Sequence, residues 1–156
     1  MAQEKAAIAE DTSERELLET RIFNAPRELV WKVWTDPEHI AQWWGPNGFT
    51  LTIHKMDVRP GKSWEFIMHG PDGRNYDNEI TYVKVVKPER LVYDHISTPR
   101  FRATVTLEDL GGKTKLTMRM VFESSESLKQ TMKVFKADEG LKQTLGRLAE
   151  ILQKLQ

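Results

Sequence analysis

The sequence has no cysteine, no net charge and no long apolar run, and each absence removes a class of protein. Without cysteine there is no disulfide framework, no thiol nucleophile and no cysteine-based metal site. Its 23 basic and 23 acidic residues cancel, and the lysines and arginines are scattered rather than striped. Nothing therefore favours nucleic acid or an anionic membrane surface. No stretch approaches the roughly 20 consecutive apolar residues of a bilayer-spanning helix. Residues 1–14 are rich in Ala, Glu and Lys but lack a basic start and a continuous apolar core, so they read as a flexible, solvated tail, not a secretory signal. The four histidines, His39, His54, His69 and His95, show no metal-ligand spacing. Neither the glycine pattern of a phosphate cradle nor a G-x-S-x-G nucleophile elbow occurs. These features describe a cytoplasmic domain without metal or cofactor, with residues 15–156 as a single unit. A chain of 156 residues buries about 68–70% of its unfolded surface, enough for a core and for a pocket.

What is present is organised around the C-terminus. Leu141, Leu145, Leu148, Leu152 and Leu155 alternate in steps of four and three, which draws one apolar stripe along a helix. Ile151 widens the stripe, while Lys142, Gln143, Arg147, Glu150 and Lys154 form the wet side. Upstream, Leu128, Met132 and Phe135 make a second stripe whose phase is lost at Asp138-Glu139-Gly140. The pattern predicts a short helix over 124–135, a kink near Gly140 and a long helix to the end. A helix with so apolar a face needs a cover.

The rest of the chain supplies one. Residues 15–24 carry Leu17, Leu18, Ile22 and Phe23 in imperfect alternation and read as a first strand. Pro26 is suited to the first turn of a helix bearing Leu29, Val30, Val33 and Trp34, and Asp36-Pro37 to the cap and start of another bearing Ile40, Trp43 and Trp44. From Phe49 to Phe122 the period changes to two. Turns at Arg59-Pro60-Gly61, Gly70-Pro71-Asp72-Gly73, Lys87-Pro88-Glu89 and Gly111-Gly112 separate five or six strands, the pattern of an antiparallel meander. A sheet with one apolar face and a helix with one apolar stripe satisfy each other when the sheet curves around the helix, giving an α+β fold.

At this point the chain resembles the helix-grip superfamily, START-like and birch-pollen-allergen-like. Within it, the chain is similar to the domain named for activators of the heat-shock chaperone ATPase. The resemblance rests on Arg21-Ile22-Phe23-Asn24-Ala25-Pro26, Val30-Trp31, Asp36-Pro37-Glu38, Trp43-Trp44-Gly45-Pro46 and Asp57-Val58-Arg59-Pro60-Gly61. It continues through Pro71-Asp72-Gly73, Lys87-Pro88-Glu89-Arg90-Leu91-Val92-Tyr93, Met120-Val121-Phe122-Glu123-Ser124, and Gly140 with Leu145 and Leu148. It covers almost the whole of residues 15–155. The chain departs from the pattern at Lys62, where a second glycine is common, and at Leu141, where the family often has Trp. The second departure reshapes the space beside the helix. The resemblance implies a cavity between sheet and helix, used in different members for small ligands or for protein partners, and it implies no shared catalytic set.

The residues themselves point the same way. Trp64, Phe66, Met68, Tyr82, Tyr93, Met118, Met120 and Phe122 share the parity that faces the terminal helix. His95 follows Leu91 and Tyr93 on that face, as a polar anchor, as an acid/base group, or as a strand-end histidine satisfied by a hydrogen bond. Ordinary core packing explains much of this set, but Met adapts to irregular space and Tyr brings a polar tip to an apolar wall. The expected ligand-binding site is Trp64, Phe66, Met68, Tyr82, Tyr93, His95, Met118 and Met120 from the sheet, with Leu141, Leu145 and Leu148 from the helix. Trp43 and Trp44 are candidates for a rim. A module binding a small hydrophobic ligand ranks first, a chaperone-like protein-interaction domain second, and a cyclase or hydrolase using His95 and a Tyr third. The expected partners are thus a small hydrophobic ligand or a chaperone, with no nucleic acid and no membrane span.

Overall fold

The computed structural model describes residues 11–156; residues 1–10, most of the expected tail, lie outside the described residues. A single 3-10 turn at Ser13–Arg15 leads into strand β1, Glu16–Phe23. Helices α1, Arg27–Thr35, and α2, Pro37–Ile40, follow. Six strands come next: β2 Thr50–Met56, β3 Ser63–His69, β4 Asn75–Val86, β5 Arg90–His95, β6 Phe101–Asp109 and β7 Thr114–Phe122. Helices α3, Ser125–Phe135, and α4, Ala137–Lys154, complete the chain. All neighbouring strands are antiparallel, in the order β1-β7-β6-β5-β4-β3-β2. The meander is therefore continuous from β2 to β7, and β1 closes it by pairing Glu16 with Val121 through Phe23 with Thr114.

Two register shifts bend this sheet, one between Ile53 and Lys55 in β2 and one between Tyr82 and Lys84 in β4. Each places an extra residue on one strand, which sharpens the local twist and lets the sheet curl. Alternation then sends Ile80, Tyr82, Leu91, Tyr93, Ala103, Val105, Leu107, Leu116 and Met118 to the concave face, all at most 3% exposed. The terminal helix answers with Leu145, Leu148 and Leu152, which are buried along α4. Each such leucine contributes about 1.5–3 kcal/mol by leaving water. Ion pairs between Lys142 and Glu19 (2.9 Å) and between Arg119 and Glu16 (2.8 Å) lie at the β1 edge and add little, because both cations remain half-exposed.

Five local expectations are corrected. Pro26 occupies the N-cap of α1, one position before the first turn. Asp36 does occupy the N-cap of α2, but its carboxylate bonds the His39 ring instead of a backbone amide. The break between the last two helices is at Lys136, which takes a left-handed backbone (φ 51°), while Gly140 lies within the first turns of α4. There a side chain would press on Pro46, since an added Cβ would meet its Cγ at 3.2 Å. The α3 face also differs: Leu128 and Thr131 are buried, whereas Phe135 is 52% exposed. Leu155 lies just beyond α4 and is exposed, so the buried leucine stripe ends at Leu152.

Candidate functional site

Helix α4 packs against β1, α3 and α1 and stands off from the middle strands, and α3 packs over β1 and β7. The concave centre of the sheet is thus left without a backbone lying directly on it. Side chains fill part of that space, and a cavity of about 870 Å³ occupies the remainder.

Its floor comes from Phe66 and Met68 of β3, Ile80 of β4, Tyr93 and His95 of β5, Phe101 of β6, and Met118, Met120 and Phe122 of β7. Leu141, Thr144 and Leu145 of α4 form the opposite wall. The loop after α2 supplies Trp44, Gly45, Pro46, Asn47 and Phe49. Exposed Val134 and Phe135 also reach the cavity, and Tyr76 meets the Phe135 ring edge-on at 6.2 Å.

The loop is held over the cavity by one guanidinium. Arg147 on α4 donates to the carbonyls of Gly45 (2.9 Å), Pro46 (3.1 Å), Gln42 (3.2 Å) and Trp44 (3.3 Å). Removal from water pushes this group below its ordinary value. Beside it, the Asn47 backbone amide donates to the Gln143 side chain at 3.0 Å. The loop conformation is thus fixed from the helix side.

Eight of the eleven expected site residues line the cavity: Phe66, Met68, Tyr93, His95, Met118, Met120, Leu141 and Leu145. Trp64, Tyr82 and Leu148 are buried outside its lining. Trp64 stacks on Phe66 (3.9 Å between centroids) and takes the Trp44 ring edge-on at 5.1 Å. Of the two rim candidates Trp44 lines the cavity, while Trp43 is fully buried and donates its indole N–H to the Val33 carbonyl at 3.0 Å. The lining also includes Trp34, Phe49, Tyr76, Asn78, Phe101 and Thr144, which the sequence reading left out of the site. Asn78 carried a usable signal, being a polar residue at the inward parity between Tyr76 and Ile80.

Polar groups gather at one corner. His95 is 7% exposed, and its ring lies parallel to Phe101 at 4.7 Å. Its Nδ1 lies 2.7 Å from the Pro99 carbonyl oxygen and its Nε2 2.7 Å from Asn78 Oδ1. Burial holds the imidazole below its usual range, and hydrogen bonds to backbone groups of the 97–99 turn oppose this only in part. Tyr93 has a hydroxyl without a hydrogen-bond partner among the described residues, and burial drives its ionisation well above the ordinary tyrosine range. The acid/base pairing of His95 with a tyrosine is not formed. Among the described residues no three His, Asp or Glu side chains converge as metal ligands, and no helix is long and apolar enough to cross a membrane.

A curved antiparallel sheet closed on a long C-terminal helix, with two short helices after the first strand, defines a START-like helix-grip domain. The chain belongs to the family described as activator of Hsp90 ATPase homolog 1-like protein, whose model matches residues 24–153. Solved structures share the fold at low identity. A protein from Arthrobacter aurescens is 24% identical with a TM-score of 0.84, over 96% of this chain and 92% of that one. One from Nitrosomonas europaea is 21% identical with a TM-score of 0.84, over 95% of this chain and 100% of that one. A third, from Mycobacterium smegmatis, is 23% identical with a TM-score of 0.80, over 91% and 93%. Among curated proteins, none matches the sequence.

Proposed function

We propose that the domain, residues 15–156, is a cytoplasmic binding module that holds one small, largely apolar ligand between its sheet and α4. The observation that carries this reading is the cavity itself. Its volume of about 870 Å³ falls within the range of ligand sites, roughly 300–1,000 Å³. Its wall surface is mostly apolar, supplied above all by Phe, Met, Leu, Ile and Trp, with interspersed polar groups such as Asn78, His95 and Thr144. Three lining methionines, Met68, Met118 and Met120, can adjust to ligand shape, because an unbranched thioether repacks at low energetic cost. Exposed Val134 and Phe135 would then give the ligand an apolar approach.

Two lining tryptophans, Trp34 and Trp44, provide the test. Titration with an apolar dye should change tryptophan emission saturably, and Trp44→Phe should remove much of the change. No response across fatty acids, alcohols and aromatics would defeat the proposal. Val134 and Phe135 also support a second reading, suggested by the family description, in which the mouth contacts a chaperone. That reading predicts that Phe135→Ser weakens capture of the chaperone while leaving dye binding intact.

A further inference from the structure

Resting on the cavity reading above, we infer that the ligand carries an acidic group, a carboxylate on an apolar body, which sits beside His95. The argument starts from hydrogen-bond chemistry. A neutral imidazole has one N–H and one lone pair, so it needs one acceptor and one donor as neighbours. His95 instead faces two oxygens, Pro99 O and Asn78 Oδ1, each at 2.7 Å. A carbonyl oxygen only accepts, so Nδ1 carries the proton and Nε2 points its lone pair at another acceptor. Turning the Asn78 amide would not repair this. Its Nδ2 already donates to the Tyr76 carbonyl at 3.0 Å, and reversal would set oxygen against oxygen there. Among the described residues the Ser97 hydroxyl is the remaining polar neighbour of Nε2 and lies at 3.4 Å, a weak alternative.

The surroundings are therefore the hydrogen-bond complement of an imidazolium, placed where a lone positive charge is costly. Among the described residues no anion contacts the ring to offset it. Asn78 of β4, Phe101 of β6, and Ser97 and Pro99 of the β5–β6 turn meet the ring, and none is charged. The ionisable groups elsewhere on the cavity wall are Tyr76, Asp77, Tyr93, Lys136 and Glu139, and none contacts the ring among the described residues. An anionic ligand supplies what is missing. A carboxylic acid entering as the neutral form breaks its O–H bond and passes the proton to Nε2. When the ligand enters already as a carboxylate, Nε2 takes its proton from the buffer acid instead, leaving the buffer base in solution. Either way Nε2–H then donates to Asn78 Oδ1, and the carboxylate remains as counter-charge. The second amide proton of Asn78 and the Thr98 hydroxyl, at the same corner, can donate to it.

Decanoate and decanol, matched in their apolar chain, are the probes. Calorimetry at neutral pH, on the wild type and on His95→Phe, is read together with the His95 ring resonance by NMR. The inference expects decanoate to bind the wild type at least about tenfold more tightly than decanol. It also expects the His95 titration midpoint to rise when decanoate binds, and the preference to vanish in His95→Phe while decanol binding persists. Equal binding of both probes with an unmoved His95 midpoint would overturn the acidic-ligand inference and leave the cavity reading standing. Binding of neither probe would overturn the acidic-ligand inference, and the cavity reading would fall with it if the wider panel of fatty acids, alcohols and aromatics also gave no response. The wild-type NMR readout holds even if His95→Phe fails to fold.

Discussion

Truncating Leu148 to alanine tests how the helix is held. Leu148 is fully buried and lies outside the cavity lining, so its neighbours are packed side chains with little room to move. Losing most of an isobutyl group forfeits about 0.8 kcal/mol for each methylene-sized unit, or roughly 2–2.5 kcal/mol in transfer alone. The void left in a rigid surround raises the total to about 3–4 kcal/mol, inside the usual range of about 2–5. Against a stability of about 5–15 kcal/mol for a domain, that is a large loss. Leu141 is the internal control. It is half-buried and already faces the cavity, so Leu141→Ala opens no new closed void and should cost only about 1 kcal/mol. Urea unfolding followed by tryptophan fluorescence measures both, with the Leu148→Ala midpoint falling by roughly 1–2 M. A Leu148→Ala cost below about 1 kcal/mol, or one equal to that of Leu141→Ala, would refute the picture of a helix packed solidly at Leu148 and facing the cavity at Leu141.

The loop clamp predicts that Arg147→Met, by removing a donor shared among four carbonyls, lowers stability by about 1–3 kcal/mol and speeds hydrogen exchange over residues 42–49. A change confined to α4 would speak against the clamp. Ser124 caps α3 by accepting from the Ser127 amide at 3.0 Å, so Ser124→Ala should cost about 1 kcal/mol in thermal unfolding. In the unliganded fold His95 titrates below its ordinary value of 6.5, so the unfolded chain binds the extra proton first as pH falls. Stability should therefore decline below about pH 6.5 and level off once the folded form also protonates. A pH-stability curve for His95→Phe should lack that contribution, and an identical curve would exclude His95 as its source.

Much of this fold is legible because its two periods are unusually well kept. The leucine steps of α4 and the strict alternation from β5 to β7 each report one buried face. Where the reading strayed, a single local contact outweighed the pattern. Gly140 looks like a helix break because glycine weakens helices, yet here its missing side chain admits Pro46. The true break at Lys136 depends on a left-handed backbone that lysine does not advertise. Phe135 falls in phase with Leu128 and Met132, but α3 turns Thr131 inward instead.

The site was legible to the extent that it is a sheet face. Parity identified Phe66, Met68, Tyr93, His95, Met118 and Met120, because every inward residue on the middle strands faces the same space. Parity could not tell wall from solid core, so Trp64 and Tyr82 were grouped with them. Trp64 is covered by the rings of Phe66 and Trp44, and Tyr82 lies against Tyr93, tertiary contacts with no sequence signature. The loop contribution was harder still. Phe49 and Pro46 line the cavity in a loop tied down by Arg147 and Gln143, both distant in sequence.

Native mass spectrometry of freshly purified protein, repeated after denaturation, tests the central claim most directly. A reproducible added mass that disappears on denaturation, and is diminished in a variant that narrows the cavity from its wall such as Leu141→Trp, is the predicted result. A bare-chain mass from the outset, with no mass gained on incubation with apolar acids, alcohols or aromatics, would contradict it.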